Sequence, residues 1–167
     1  TDWILLDGDT IGGVHTNVGL FFVPEGVTVS VMAYQAGGAG SGAVAVFADH
    51  VRIEGVLSAN GAGYSMAEGP GTGGPGAGHG GLGGGSPNGN GGGRYGSVRE
   101  PITLGSGGSK GGAHAGGAGG GAIRLVASGT LDVEGTLSAN GIDAPQTKGS
   151  GGSGGSLWLA ATPLGGD

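Results

Sequence analysis

Histidine is the residue type in this chain best suited to acid–base or metal chemistry, because imidazole titrates near neutral pH and binds zinc. The chain has four: His15, His50, His79 and His114. They stand in four unrelated local contexts, and no two have the spacing of a zinc-binding helix. The pattern predicts solvated loop positions and no catalytic or metal-binding role.

Carboxylates are the next candidates. Asp7 and Asp9 flank Gly8, and carboxylates at a glycine turn suit a calcium ion, although a solvated turn is the favoured interpretation. Glu54 and Glu134 occupy equivalent positions of an internal repeat, whereas an acid–base pair needs two different environments. The chain has no cysteine, so it has no cysteine zinc site. Because the sequence also lacks a clustered acidic or histidine site, we predict no metal, no cofactor, no catalytic residue and no enzyme activity.

The glycine tracts resemble phosphate-binding loops only in composition. A P-loop needs Gly-Lys-Ser/Thr, but Lys110 lies between Ser109 and Gly111, and the tracts lead into strand-like segments. Close backbone packing is the favoured use of glycine here. Residues 149–155 (GSGGSGG) also have the period of three that is typical of an extended, polyproline-II-like helix.

Aromatic side chains are the candidates for contact with a partner. Tyr64 and Tyr95 flank the long glycine tract, and an aromatic ring offers a large contact area with few rotatable bonds. We predict these two as partner-binding residues. For Trp3 and Trp158, which lie in short apolar runs, packing within the fold is favoured.

An internal repeat positions all of these residues. Residues 51–61 (VRIEGVLSANG) return as residues 131–141 (LDVEGTLSANG), so the repeats span 42–61 and 121–141. Residues 155–161 (GSLWLAA) begin a third, partial copy. Apolar and polar residues alternate within each copy, which predicts strands with one buried face. Parallel stacking of the copies is favoured because a long connection, and not a hairpin turn, separates them. The residues predicted to be buried are Val44, Val46, Ile53, Leu57, Ile123, Leu125, Val133 and Leu137.

Composition bounds the fold class. With 48 glycines and 7 prolines in 167 residues, disorder is the default expectation, but a 36% hydrophobic content gathered in short runs argues for an ordered core. We predict one domain, 1–167, of all-β class, either solenoid-like (a parallel β-helix) or sandwich-like. Glycine-rich excursions at 62–121 and 142–155 leave room for polyglycine-II segments.

Net charge and hydropathy limit the partners. A formal charge of −6 argues against nucleic acid and anionic membranes. No apolar run approaches the roughly 18–20 residues that span a bilayer, so no membrane insertion is predicted.

Two segments carry resemblances. Residues 21–31 (FFVPEGVTVSV), followed by residues 37–40 (GGAG), resemble the opening of glycine-rich phage tail-fibre and adhesin domains. Residues 42–61 and 121–161 are similar to glycine-rich β-solenoid repeats of secreted bacterial surface proteins. Both resemblances imply a fibre or adhesion role at an extracellular location or cell surface, with a virion fibre as the alternative location.

The two ends of the sequence suggest self-assembly. The partial copy at 156–161 lacks the segment that follows in the full copies, and Ile4 and Leu6 match Leu131 and Val133 of that segment. We predict a structural subunit of a filament, sheath or fibre, a homopolymer in which residues 3–8 of one subunit complete residues 156–161 of the next. Pairing of both ends within one chain is the alternative geometry, and an adhesin that binds a glycan or protein is the alternative function. The predicted interface residues are Trp3, Ile4, Leu6, Leu157, Trp158 and Leu159.

Overall fold

A computed structural model describes residues 1–87, 89–145 and 148–161. Within these residues, ten β-strands form two sheets. The first sheet contains β1 (Trp3–Ile4), β3 (Gly13–Val23), β5 (Ala43–Ile53), β7 (Ala122–Ala127), β8 (Leu131–Val133) and β10 (Ser156–Ala161). The second contains β2 (Thr10–Ile11), β4 (Thr28–Val31), β6 (Val56–Ser58) and β9 (Thr136–Ser138).

All pairs of named strands are parallel. The first sheet has the order β1-β3-β5-β7-β10, with β8 beside the second half of β5, and the second has the order β2-β4-β6-β9. From β1 to β6 the chain therefore supplies strands to both sheets in succession. Parallel pairing needs a long connection between neighbours, and here the other sheet and the glycine tracts provide it.

The repeats lie side by side. Val44 pairs with Ile123, Val51 with Leu131, and the second sheet pairs the Leu57 and Leu137 positions. Between the residues of these first two pairs, the second copy contains one more residue than the first copy. That residue is accommodated near Gly129, whose backbone N–H donates to the Asp49 carbonyl at 2.8 Å.

The core lies between the two sheets. Phe21, Val46 and Leu125 from the first sheet and Val29 and Leu57 from the second are fully buried. Six of the eight residues predicted to be buried are buried, and Leu137 packs partly buried against the core. The six buried residues, each 1% exposed or less, are Val44, Val46, Ile53, Leu57, Ile123 and Leu125.

The prediction for Val133 was wrong, because 38% of this residue is exposed. Its strand, β8, pairs with β5 on one side and has no second strand partner within the described residues. An inward-pointing side chain on such an edge strand is covered on one side only.

The predicted architecture was also wrong. A sandwich joins antiparallel strands, but every named pair here is parallel. A solenoid-like parallel β-helix would continue in regular coils, but between β6 and β7 the chain leaves both sheets for the long glycine excursion. The structure consists instead of two parallel sheets joined to glycine-rich segments, with no helix within the described ranges.

The glycine segments are tied to one another and to the sheets by backbone hydrogen bonds. Gly63 N–H donates to Gly119 O at 2.7 Å, Gly108 N–H to Gly117 O at 2.8 Å, and Gly117 N–H to Ser150 O at 2.9 Å. A β-carbon on Gly63 would lie 2.8 Å from the Gly105 carbonyl oxygen, so only glycine permits this approach. Backbone pairing thus takes the place of side-chain packing.

The described part of the chain contains no helix that is both long and apolar enough to cross a membrane.

Candidate functional site

The edge of the first sheet at β10 leaves part of the core open. β10 pairs with β7 on one side, and Leu157 and Leu159 lie in register with the buried Ile123 and Leu125. Although they share the inward-facing positions, the two leucines are 41% and 42% exposed, because no further strand covers them within the described residues.

The outward face of the same edge carries a stack of rings around Arg124. The guanidinium carbon lies 4.0 Å from the centroid of the Trp158 ring and 5.0 Å from that of Phe47. Cation–π attraction of this kind orients the half-buried indole. Arg124 Nε is buried and has no hydrogen-bond partner in the described part of the structure, so ring stacking is its main environment.

The opposite edge of the first sheet is built around β1. Trp3 packs edge-on against Phe21, with ring centroids 5.3 Å apart. Its ring is also tilted against that of His15, with centroids 4.4 Å apart. Ile4 and Leu6 point away from the core and are 57% and 67% exposed. Among the six predicted interface residues, the two tryptophans are half-buried and the other four are exposed.

The strand register corrects the alignment of the first residues with the repeat. Trp3 pairs with Phe21, Phe21 with Val51, and Val51 with Leu131. Trp3 is therefore the counterpart of Leu131, and Ile4 is the counterpart of Asp132. Because Ile4, Leu5 and Leu6 are all apolar, the sequence alone does not show which of them face the core. Burial decides it, because Leu5 is 1% exposed and occupies the core position assigned above to Leu6.

The structure excludes the intramolecular alternative for β1 and β10. β1 and β10 lie at opposite ends of the first sheet, with β3, β5 and β7 between them. The predicted interface residues thus form two separate surfaces. We call them the β1 edge and the β10 edge.

The two tyrosines are largely engaged inside the fold. Tyr64 packs edge-on against Tyr34, with centroids 4.9 Å apart. The Tyr95 hydroxyl donates to the Leu104 carbonyl at 2.5 Å and accepts from Ser106 Oγ at 2.8 Å. Burial raises the pKa of Tyr95, and the hydrogen bond from Ser106 partly opposes this shift.

His79 is a structural residue that sequence reasoning missed. Its Nδ1 lies 2.8 Å from the Gly154 carbonyl oxygen, which can only accept, so Nδ1 carries a proton. Its Nε2 lies 2.7 Å from Thr103 Oγ1, and its ring centroid is 4.8 Å from that of Tyr95. His79 lies in a loop, as predicted, but it is half-buried and not solvated. Its side-chain partners are distant in sequence, so no local signal announces them.

An open cleft of about 900 Å³ lies beside the start of β10. His79 and Tyr95 form part of its wall, and Leu157 connects it to the β10 edge. Two further lining residues, Leu82 and Val98, are 75% and 97% exposed. The cleft is therefore apolar at its rim and continuous with the open edge of the core.

The acidic turn stabilises the backbone. Asp7 Oδ1 accepts from Thr28 N–H at 2.9 Å, and Asp9 Oδ2 accepts from Leu6 N–H at 2.8 Å. Asp9 thus caps its own turn, and Asp7 ties the turn to the start of β4. The favoured interpretation, a solvated turn, did not include these hydrogen bonds. Within the described residues no three His, Asp or Glu side chains come together as a metal site.

Comparison of the chain with protein-family models, with curated proteins and with solved structures finds no match.

Proposed function

We propose that this chain is the structural subunit of an extracellular filament, sheath or fibre, and that subunits join head-to-tail by adding the sheets of one copy to those of the next. The observation that carries the proposal is the pair of open edges at opposite ends of parallel sheets. Unpaired strand edges favour the addition of another strand, and exposed core side chains favour it further.

Strand direction supports a polar chain of subunits. Because all strands within a sheet are parallel, a second copy placed beyond β10 in the same orientation continues the sheet without turning around. The β1 edge and the β10 edge are different surfaces, so the contact is heterologous. A heterologous contact that does not close into a ring propagates into a filament.

Burial supplies the driving force. Leu157 and Leu159 continue the buried Ile123 and Leu125 positions outward by one strand, and a further strand would cover them. The backbone N–H and C=O groups on the open side of β10 would gain parallel-sheet hydrogen bonds at the same time.

The extracellular location rests on the resemblances of the glycine-rich segments to fibre and surface proteins. A virion fibre remains the alternative location. Both place the chain where a long, repetitive assembly has a structural use.

The test compares two lysine substitutions of exposed apolar residues. Leu159→Lys puts a charge at the β10 edge, whereas Ile102→Lys puts the same charge at a residue that is 50% exposed and lies in no strand. We expect the wild type and Ile102→Lys to form long filaments in electron micrographs, and Leu159→Lys to remain monomeric with an unchanged circular dichroism spectrum. Filaments of normal length from folded Leu159→Lys, or none from the wild type, would contradict the proposal.

The cleft favours a second candidate, an adhesin that binds a glycan or protein. Its rim offers exposed Leu82 and Val98 beside Tyr95 and Arg94, a combination of apolar and hydrogen-bonding groups that suits a sugar face. A glycan array probed with monomeric wild-type chain, with Val98→Asp as the control, separates the two functions. Val98-dependent glycan binding by a chain that never polymerises would favour the adhesin.

A further inference from the structure

We propose that neighbouring subunits interlock in one defined register, in which β10 of one copy fills a notch beside β1 of the next. This inference rests on the proposed filament and adds the contact residues and the axial repeat to it. Its basis is a match in shape and strand count between the two ends of the sheets.

The β10 end is stepped. β7 and β8 both pair with β5 and so lie on the same row of the first sheet. β10 adds one further strand beyond β7, whereas β8 has no strand beyond it in the described ranges. β10 therefore projects one row further than its surroundings.

The β1 end has the complementary notch. β1 pairs only with the second half of β3, at Phe21 and Phe22. The first half of β3 has no strand on that side within the described residues, and an open space of about 540 Å³ lies there. Trp3, Val14, His15 and Val18 are among the residues that line this space, which we call the notch.

Counting rows shows that step and notch fit. The first column of strands comprises the first half of β3, the first half of β5, β7 and β10. The second comprises β1, the second halves of β3 and β5, and β8. The second sheet comprises β2, β4, β6 and β9. Within the described residues each column contains four rows, so a single translation by four rows continues all three columns at once.

The register of the second sheet identifies one contact pair. One column of facing residues consists of Thr10, Ser30, Ser58 and Ser138. Ser138 Oγ lies 3.5 Å from Ser58 Oγ, so hydroxyl groups already follow one another along this column. Translation places Thr10 of the next copy beside Ser138 and extends the row of hydroxyls.

The register of the first sheet identifies three more contact pairs. Ile4, Phe22, Arg52 and Asp132 form one outward-facing column. Val14, Ala45, Arg124 and Trp158 form another. The next copy's Ile4 therefore lies beside Asp132, and its Val14, which is 71% exposed in the isolated chain, covers the Trp158 ring. On the inward side its His15 meets Leu159.

The number of strand rows per subunit also sets the axial repeat of the filament. Neighbouring strands lie roughly 4.8 Å apart, so four rows give an axial rise of about 19 Å per subunit. A filament joined by surface contacts alone would have no reason to adopt a multiple of the strand spacing.

Disulfide trapping tests the register, because the chain has no cysteine of its own. The matched pairs are Ile4→Cys with Asp132→Cys and Thr10→Cys with Ser138→Cys. Within one chain the members of each pair are three rows, about 14 Å, apart, beyond the roughly 7 Å limit between the Cα atoms of a disulfide. Any bond must therefore join two copies. The shifted controls are Ile4→Cys with Glu134→Cys and Thr10→Cys with Asn140→Cys.

We expect oxidised filaments of both matched pairs to give covalent ladders on non-reducing gels, and the shifted pairs to give few. Micrographs of wild-type filaments should show an axial rise of about 19 Å. Filaments that form with a different rise, or that cross-link equally in the shifted pairs, would overturn the register and leave the filament proposal standing. A wild-type chain that forms no filaments would overturn both.

Discussion

At the scale of single residues, Tyr95 shows how a side chain predicted to meet a partner is used within the fold. Its hydroxyl joins the Leu104 carbonyl to Ser106, and Ser106 Oγ in turn accepts from Gly71 N–H at 2.9 Å. Ser106 is fully buried, so these bonds satisfy polar groups that water does not reach. The Tyr95 hydroxyl therefore ties the glycine-rich segment around Tyr95 to the segment that contains Leu104 and Ser106.

Replacing Tyr95 by Phe tests that role. The change removes both hydrogen bonds, and we expect a loss of roughly 1–3 kcal/mol of unfolding free energy at neutral pH. Because burial raises the Tyr95 pKa, the folded state retains the phenolic proton more tightly than the unfolded state. The advantage of the wild type over Tyr95→Phe is thus fully present below the ordinary tyrosine pKa of about 10 and shrinks as the pH rises above it.

Urea titrations of both proteins between neutral and alkaline pH measure this difference. Tyr64→Phe is the matched control, since the Tyr64 hydroxyl makes no hydrogen bond within the described residues, and it should cost little at neutral pH. A gap between wild type and Tyr95→Phe that widens above pH 10 would contradict the assignment.

Glycine has a specific structural use at Gly63. A β-carbon there would press on the carbonyl oxygens of Gly120 and Gly105, whereas a β-carbon on Gly93 would meet nothing within 4 Å. We expect Gly63→Ala to lose about 1–3 kcal/mol of stability through overpacking, and Gly93→Ala to lose almost none. Thermal unfolding followed by circular dichroism compares the two, and equal melting temperatures would refute close packing at this position.

At the scale of elements, strand position decides what an inward-facing leucine contributes. Leu125 in β7 and Leu159 in β10 lie side by side in register, but Leu125 is fully buried and Leu159 is 42% exposed. Both have the same sequence signal. Their different exposure arises because β7 has a strand on each side and β10 has one.

We expect Leu125→Ala to cost roughly 2–5 kcal/mol of unfolding free energy in the monomer, since it leaves a cavity. Leu159→Ala should cost under about 1 kcal/mol in the monomer, because solvent already reaches this site. Its main effect should be a higher protein concentration needed for assembly, as seen by sedimentation. Equal losses of monomer stability in the two variants would contradict the open edge.

At the scale of the whole molecule, two different edges allow a complementation experiment. Leu159→Lys blocks the β10 edge and leaves the β1 edge intact, and Val14→Lys, at a residue that is 71% exposed, does the reverse. Each variant alone should stay monomeric, and an equimolar mixture should form dimers but no filaments. Analytical ultracentrifugation distinguishes this outcome from filaments in the mixture, which would require a contact other than the proposed one.

The apolar alternation of the sequence predicted most of the buried residues, because a period of two commits a strand to one buried face wherever neighbours cover it. The long connection between the repeats predicted that the two copies stack in parallel, as their strands do.

Only the tertiary structure decided how the strands are arranged and which residues at the first strand face the core. Three successive apolar residues, Ile4, Leu5 and Leu6, carry no period, and only packing against β3 turned Leu5 inward. The architecture of two parallel sheets, the anchoring of His79 and Tyr95, and the step and notch all depend on contacts between residues far apart in sequence. Local propensities do not encode such contacts, because each partner acquires its role only when the other is in place.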